Sequence, residues 1–153
     1  MSKPISTGAA IAWGLVIIAF TLQEGSASGA LSGSLTNTLY GWFRVIPGFT
    51  SVVTLEVFHT LIRAFAHVFN YAVFGLLVSH AVTHYRPLNA RVMAGLIIFG
   101  AGYGFLDETI QRFVPGRAFT WLDILLDTLG FTLGSLAIFF YNHWFKLPKK
   151  RDV

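Results

Sequence analysis

The chain has 153 residues, of which 54% are hydrophobic and 12% are charged, about half the charged fraction of a soluble domain. This composition predicts a single membrane domain over residues 1–153, and the lack of cysteine excludes disulfides, thiolate metal sites and cysteine nucleophiles. The formal net charge is +4, but basic residues beside a membrane span usually set topology and contact anionic headgroups, so we expect membrane lipids rather than nucleic acid as partners.

The first predicted element is an apolar stretch from about Ile5 to Leu22 that contains no charged residue. A helix that crosses a bilayer needs ~20 predominantly apolar residues. A signal peptide is the alternative, because Lys3 precedes the stretch and "SAS" follows it, but the apolar run is long for a signal-peptide core. We therefore interpret this stretch as the first transmembrane helix.

The long segment after the first span is predicted to form a flexible stretch followed by an interfacial helix. The flexible stretch is the Gly/Ser-rich "EGSASGALSGS", and the helix lies in "LTNTLYGWFRVI". An apolar stripe at helical spacing is typical of a helix in the interface plane. The stripe consists of Leu35, Leu39, Trp42, Phe43 and Ile46. Pro47 and Gly48 end the helix as a turn, and "SVVTLEVFHTLI" either continues into the second span or forms a short re-entrant piece.

Three further apolar stretches follow. They lie within Arg63 to Arg86, from Arg91 to about Asp107, and from about Trp121 to Phe145. Each is close to the length that crosses a bilayer as a helix. The expected fold is therefore an all-α polytopic membrane protein, with four transmembrane helices plus an interfacial amphipathic helix in the first outer loop.

The distribution of basic residues predicts the orientation of these spans. With the N-terminus inside, seven basic residues lie on the inner side: Lys3, Arg86, Arg91, Lys146, Lys149, Lys150 and Arg151. Four lie on the outer side: Arg44, Arg63, Arg112 and Arg117. Because the side with more basic residues is usually cytoplasmic, both termini are predicted in the cytoplasm. The hairpin "DETIQRFVPGR", between the third and fourth spans, then faces outward.

Polar residues of three spans are predicted to share one depth. Measured at ~1.5 Å per residue from the basic residue at the inner end of each span, His67, Asp107 and Asp127 lie ~24 to 28 Å away. The hydrocarbon core is about 30 Å thick, so all three reach its outer edge. Ionisable groups inside a membrane are costly and usually face the interior of the bundle in pairs. The coincidence in depth therefore predicts a polar site.

Helical spacing groups these polar residues on helix faces. Spacings of three or four connect Arg63, His67 and Tyr71, then Asp107, Glu108 and Gln111, then Asp123 and Asp127. Two pairs of glycines, Gly100 with Gly104 and Gly130 with Gly134, form faces that allow close helix contact. We expect the third and fourth spans to pack on each other through these two faces, directly beneath the polar cluster.

Structural explanations of the same residues stay open. Asp123 lies three residues after Thr120 and is placed to cap the fourth span. Arg117 is placed to pair with Asp123 or with lipid headgroups, and Pro115-Gly116 suits the centre of a type II turn. The whole cluster is also compatible with a paired polar plug that fixes the register of the helices.

Two segments resemble the VanZ-like family, which is named for a protein linked to teicoplanin resistance. The family pattern has Arg-Lys-x-x-His-x-x-x-Tyr on one helix. Asp-Glu-x-x-Gln, a Pro-Gly-Arg turn, and then Asp, a polar residue and Gly follow it. The corresponding segments are "IRAFAHVFNYAVFG" and "DETIQRFVPGRAFTWLDILLDTLG". The matching residues are Arg63, His67, Tyr71, Asp107, Glu108, Gln111, Pro115, Gly116, Arg117, Asp123, Asp127 and Gly130.

The resemblance implies a role in the bacterial envelope, a location in the cytoplasmic membrane and tolerance of lipoglycopeptides, but it supplies no reaction. The chain departs from the family pattern at two positions. Ala64 stands where the family often has Lys, and Asn70 where it often has Glu. If those family residues hold an anionic group or a proton, this member has altered activity.

Three functions remain open. The first is a binding or processing site for an outer-leaflet amphiphile, namely a lipid headgroup, a lipid-linked wall precursor or a lipoglycopeptide. Arg63 and Arg117 would hold its phosphate or carboxylate, because guanidinium matches both with two hydrogen bonds. Tyr71 and Gln111 would orient it, with Asp127 as a further binding residue.

The second function is an intramembrane hydrolase or transferase acting on such a lipid. His67 with Asp107 or Glu108 would serve as general base and orienting group, with Asp123 as a further catalytic carboxylate. Water would have to attack, since no serine or threonine in the motifs stands out as a nucleophile. A metal held by His67, Asp107, Glu108 and Asp123 is conceivable, but their spacing matches no standard metal motif, so we expect neither a metal nor another cofactor. The third function is a small transporter or proton relay, because His, Asp and Glu in membrane helices often mark such paths.

Overall fold

The computed structural model describes residues 2–144, and that range contains six helices. They are α1 (Lys3–Thr21), α2 (Gly25–Phe43), α3 (Phe49–Val52), α4 (Leu55–Val82), α5 (Ala90–Gln111) and α6 (Trp121–Trp144). Four of them, α1, α4, α5 and α6, are long and apolar enough to cross a membrane. The chain is therefore an all-α, multi-pass membrane protein. Phe145, where the fourth span was expected to end, and the basic residues Lys146, Lys149, Lys150 and Arg151 lie outside the described residues.

The segment between the first two spans is more helical than the sequence suggested. The Gly/Ser-rich stretch forms the first half of α2, so the prediction of a flexible stretch there is wrong. Its start is fixed by tertiary contacts, since the Gly25 N–H donates to the Pro115 carbonyl over 3.0 Å. Ser28 and Ser32 also bond to other parts of the chain. These contacts offset the low helix propensity of glycine and serine.

The second span includes most of the segment "SVVTLEVFHTLI", which is the first of the two alternatives predicted for it. After the four-residue helix α3, the chain becomes extended at Val53, and the Thr54 hydroxyl caps α4 by accepting from the Val57 N–H over 3.3 Å. Helix α4 therefore starts at Leu55 and has 28 residues. Arg63 therefore lies within α4, and α4 also packs against α2.

Helices α4 and α6 are in backbone contact through glycines. A Cβ on Gly130 or Gly134 would overlap the α4 backbone at Val68 or Ala72, and a Cβ on Gly75 would overlap the backbone of Phe131. The sequence instead predicted that Gly130 and Gly134 would face the third span, which is wrong, because this face of α6 is turned toward α4. Close backbone approach of this kind requires residues without a Cβ.

The other glycine pair packs as predicted. A Cβ on Gly104 would lie 3.1 Å from the Cβ of Asp127, and one on Gly100 would meet the ring of Phe131. Helix α5 therefore contacts α6 through Gly100 and Gly104. Phe131 is fully buried at this contact and belongs to the core that Tyr71 and Phe74 also form.

The bundle is apolar outside and partly polar inside, as expected for a protein surrounded by lipid. Large apolar side chains are exposed on all four spans, for example Leu15, Phe65, Ile98 and Leu125. By contrast, several polar side chains are completely buried. They include Ser79, Glu108, Asp127 and Ser135.

Different elements of the chain meet at the two ends of the bundle. At one end, the Ser6 hydroxyl lies 3.0 Å from Nε2 of His84 and the Thr7 hydroxyl 3.2 Å from the Tyr85 hydroxyl, so the start of α1 meets the turn after α4. At the other end, the α5–α6 hairpin meets the start of α2. The polar residues singled out from the sequence gather at this second end.

Candidate functional site

Asp107 is the centre of the first half of the polar cluster. Its carboxylate accepts hydrogen bonds from the Tyr71 hydroxyl over 3.2 Å and from Gln111 Nε2 over 3.5 Å. The Thr21 hydroxyl of α1 also donates to it. Asp107 is buried, and its three donors come from α1, α4 and α5. One carboxylate thus connects three helices, which stabilises a charge that would be costly alone.

His67 is the centre of the second half of the cluster. Its Nδ1 lies 2.9 Å from Oδ1 of Asp127, which is completely buried, and its Nε2 lies 3.8 Å from Oδ2 of Asp123. The sequence had suggested Asp107 or Glu108 as the partner of His67. The partner is Asp127 because α4 and α6 touch at Gly130 and Gly134, one turn or two below Asp127.

Glu108 faces a different direction from its neighbour Asp107, because consecutive helical residues are about 100° apart around the axis. Its Oε2 accepts the backbone N–H of Thr120 over 2.7 Å, and the side chain is completely buried. Glu108 therefore satisfies a backbone donor at the start of α6. Capping of this helix by Asp123 was one explanation that the sequence left open, and the Asp123 carboxylate lies near His67.

The hairpin between α5 and α6 carries Arg117. Gly116 has a φ of +74°, as the predicted type II turn requires. The Arg117 guanidinium donates to the Ser28 hydroxyl over 3.0 Å and to the Phe20 carbonyl over 3.3 Å. Arg117 is therefore held against α1 and α2 rather than against Asp123.

Two arginines at this end form no salt bridge in the described part of the chain. Within residues 2–144, both salt bridges involve His67, and neither Arg63 nor Arg117 pairs with a carboxylate. Arg63 also makes no side-chain hydrogen bond to the described part of the chain. A guanidinium group without a salt-bridge partner is able to bind an anionic group of a ligand.

The two arginines line a cavity of about 400 Å³ between α1, α2, α4, α5 and the hairpin. Six of the nine predicted site residues line it: Arg63, His67, Tyr71, Asp107, Gln111 and Arg117. The apolar lining consists of Ile17, Phe20, Leu31, Leu35, Ile62 and Ala66. Glu108, Asp123 and Asp127 are not among the lining residues. The cavity therefore offers cationic, hydrogen-bonding and apolar surfaces together, and its volume lies in the ~300–1,000 Å³ range of small-molecule sites.

Sequence reasoning missed the residues that α1 and α2 add to this site. Thr21, Ser28 and Ser32 all line the cavity. A hydroxyl at the end of an apolar span and two serines four residues apart were the available signals. Asn70, a departure from the family pattern, also lines the cavity, and its backbone carbonyl accepts a hydrogen bond from Trp13 Nε1 over 3.0 Å.

The carboxylates and His67 do not form a recognisable metal centre in the described part of the chain. Between residues 2 and 144, no group of three or more His, Asp or Glu side chains has an arrangement that could hold a metal ion.

Comparison with known proteins gives one match. A family model described as VanZ/LLP1 matches residues 7–142, which include all six helices except the first residues of α1 and the last residues of α6. No curated protein and no solved structure matches the chain.

Proposed function

The chain belongs to the VanZ/LLP1 family, and from this premise we propose that it binds an anionic amphiphile in the cavity between α1, α2 and α4. The protein would act in the bacterial cytoplasmic membrane, with both termini in the cytoplasm and the cavity facing outward. Arg63 and Arg117 would hold the phosphate or carboxylate of the amphiphile. The apolar tail of the amphiphile would lie against Leu31, Leu35 and Ile62.

One observation carries this proposal: two guanidinium groups without a carboxylate partner line the same cavity as a set of large apolar side chains. Guanidinium binds phosphate and carboxylate through paired, charge-assisted hydrogen bonds. A purely soluble anion would leave the apolar lining exposed to water, and an uncharged lipid would leave both charges unpaired. An amphiphile with an anionic head would pair with the guanidinium groups and also cover the apolar lining.

The remaining polar lining would orient the headgroup. Tyr71 and Gln111 both contact Asp107, so their positions are fixed before a ligand arrives. Candidate ligands on the outer leaflet are a phospholipid headgroup, a lipid-linked wall precursor and a lipoglycopeptide. Capture of any of these would alter sensitivity to teicoplanin-type antibiotics, the phenotype that the family resemblance implies.

Native mass spectrometry of the purified chain tests the proposal. Phosphatidic acid should bind more tightly than zwitterionic phosphatidylcholine, and Arg63→Gln should weaken phosphatidic acid binding about tenfold, because a charge-assisted contact is lost. Arg112→Gln is the matched control, since Arg112 is exposed on the same hairpin and lines no part of the cavity. Equal binding of both lipids, or equal loss in both variants, would contradict the proposal.

A second candidate function is hydrolysis or group transfer on the bound lipid, and the contact between His67 and Asp127 favours it. A carboxylate at Nδ1 fixes the orientation of an imidazole and stabilises its protonated form, as in hydrolase triads. Here Asp127 contacts Nδ1, and His67 lines the cavity. His67 would then act as the general base for a water molecule that attacks the bound lipid, and Asp127 would position His67.

A further inference from the structure

A second, smaller cavity adjoins the first. Its volume is about 220 Å³, and it lies between the first half of α2 and the α5–α6 hairpin. Five residues line both cavities: Ser28, Ser32, Arg63, Gln111 and Arg117. These five side chains, two of them cationic and two of them hydroxyls, therefore form the boundary between the two cavities.

The linings of the two cavities differ in chemistry. The first includes Ile17, Phe20 and Leu31, whereas the second has no large apolar side chain and no carboxylate among its lining residues. Apart from the five shared residues, the second is lined by glycine, alanine and threonine. Hydroxyl, amide and backbone groups suit an uncharged ligand group that both donates and accepts hydrogen bonds.

Glycine shapes this second cavity in two ways. A Cβ on Gly25 would overlap the carbonyl of Gly116, so glycine at position 25 lets α2 approach the hairpin and close the cavity at that end. A Cβ on Gly29 would have no heavy atom within 4 Å, although Gly29 is among the lining residues. The space beside Gly29 is therefore open to a ligand.

We propose that the amphiphile is a phosphodiester lipid that carries an uncharged, hydroxylated head moiety such as a polyol or a sugar. This inference rests on the proposed function. The phosphate lies at Arg63 and Arg117, where the cavities meet, the acyl chains begin against the apolar lining of the first cavity, and the hydroxylated moiety occupies the second. A phosphomonoester would fill only the first cavity and the boundary.

The test compares two lipids that differ at the head moiety. The purified full chain is titrated with dioleoyl phosphatidylglycerol and dioleoyl phosphatidic acid, and binding is measured by native mass spectrometry. Phosphatidylglycerol should bind at least fivefold more tightly, although phosphatidic acid carries the greater negative charge. Gly29→Leu, which adds a large side chain at the lining of the second cavity, should remove this preference and leave phosphatidic acid binding unchanged.

Gly33→Leu is the matched control. Gly33 lies one turn further along α2, a Cβ there also contacts nothing within 4 Å, and Gly33 lines neither cavity. It should keep the preference for phosphatidylglycerol. Ala118→Leu fills the same cavity from the hairpin, so it replaces Gly29→Leu if that variant does not elute as a folded protein.

The possible outcomes separate the two proposals. Equal binding of both lipids by the unaltered chain, each above phosphatidylcholine, overturns this inference and leaves the proposed function standing. Binding of neither lipid above phosphatidylcholine overturns both. A preference that survives in Gly29→Leu and Ala118→Leu, or that is lost in Gly33→Leu, overturns the assignment of the second cavity.

Discussion

His67 on α4 and Asp127 on α6 are joined by a 2.9 Å contact between Nδ1 and Oδ1. The contact lies directly above Gly130 and Gly134, where the backbones of the two helices touch. Asp127 is completely buried, and His67 is the hydrogen-bonding partner of its carboxylate in the described part of the chain. The polar pair and the glycine face thus fix the same two helices relative to each other.

The contribution of this pair to stability can be measured by truncating its buried member. Asp127→Ala should lower the free energy of unfolding by about 1–3 kcal/mol, because it leaves the imidazole nitrogen without an acceptor. Asp123→Ala should change it by less than about 0.5 kcal/mol, because that carboxylate is 3.8 Å away and partly exposed. Thermal and denaturant unfolding in detergent would give both values. Equal losses would argue against a specific role of Asp127.

Glu108 should stabilise the protein through the one carboxylate oxygen that accepts the Thr120 N–H. Glu108→Ala removes the acceptor of the Thr120 N–H and should destabilise the protein by about 1–3 kcal/mol. Glu108→Gln keeps an oxygen at that position and should cost less than about 1 kcal/mol. The two variants are compared in the same unfolding assay. If Gln is as damaging as Ala, the charge of Glu108 matters rather than its hydrogen bond to the start of α6.

The backbone contact between α4 and α6 predicts a strong position dependence for glycine substitutions. Gly134→Ala should destabilise the protein by about 1–3 kcal/mol or more, because the new methyl group overlaps the Ala72 carbonyl. Gly102→Ala is the control, since a Cβ there meets nothing within 4 Å, and it should be neutral or stabilise by up to about 1 kcal/mol. Similar effects at both positions would show that the helices do not approach as described.

The choice between a functional site and a paired polar plug depends on His67. In cells that carry the chain as their only copy, His67→Ala should raise teicoplanin sensitivity to that of cells without the chain, while protein accumulation stays normal. Asp127→Asn should have the same effect, because Asp127 orients the imidazole. Susceptibility and immunoblot measurements distinguish the outcomes. Normal sensitivity together with a lower melting temperature would support the plug.

Much of this fold was predictable because it depends on hydropathy along one dimension. The four spans and the turn at Gly116 were found in this way, and the depth argument brought His67, Asp107 and Asp127 to one end of the bundle. Counting residues along a helix gives the depth of a side chain in the membrane. It does not give the direction in which that side chain points around the helix axis. For that reason the sequence did not reveal that Gly130 faces α4, that Asp127 contacts His67, or that Thr21 donates to Asp107.

Helix α2 shows a second limit of sequence reasoning. Its Gly/Ser composition predicted a flexible stretch, because local propensity favours loops there. The stretch is helical since the hairpin supplies partners for Gly25 and Ser28 that are remote in sequence. The same contacts close the cavity on one side, so part of the candidate site could be found only in the structure.

The central claim is that an anionic amphiphile occupies the cavity with its head at Arg63 and Arg117. Photo-crosslinking with phosphatidic acid that carries a diazirine on its acyl chain, followed by peptide mapping, tests it most directly. We expect adducts at Leu31, Leu35 and Ile62 that unlabelled phosphatidic acid removes by competition. These adducts should disappear in the Arg63→Gln, Arg117→Gln double variant and persist in Arg112→Gln. Adducts confined to lipid-facing positions such as Ile98 and Leu125, or unaffected by the arginine substitutions, would contradict the claim.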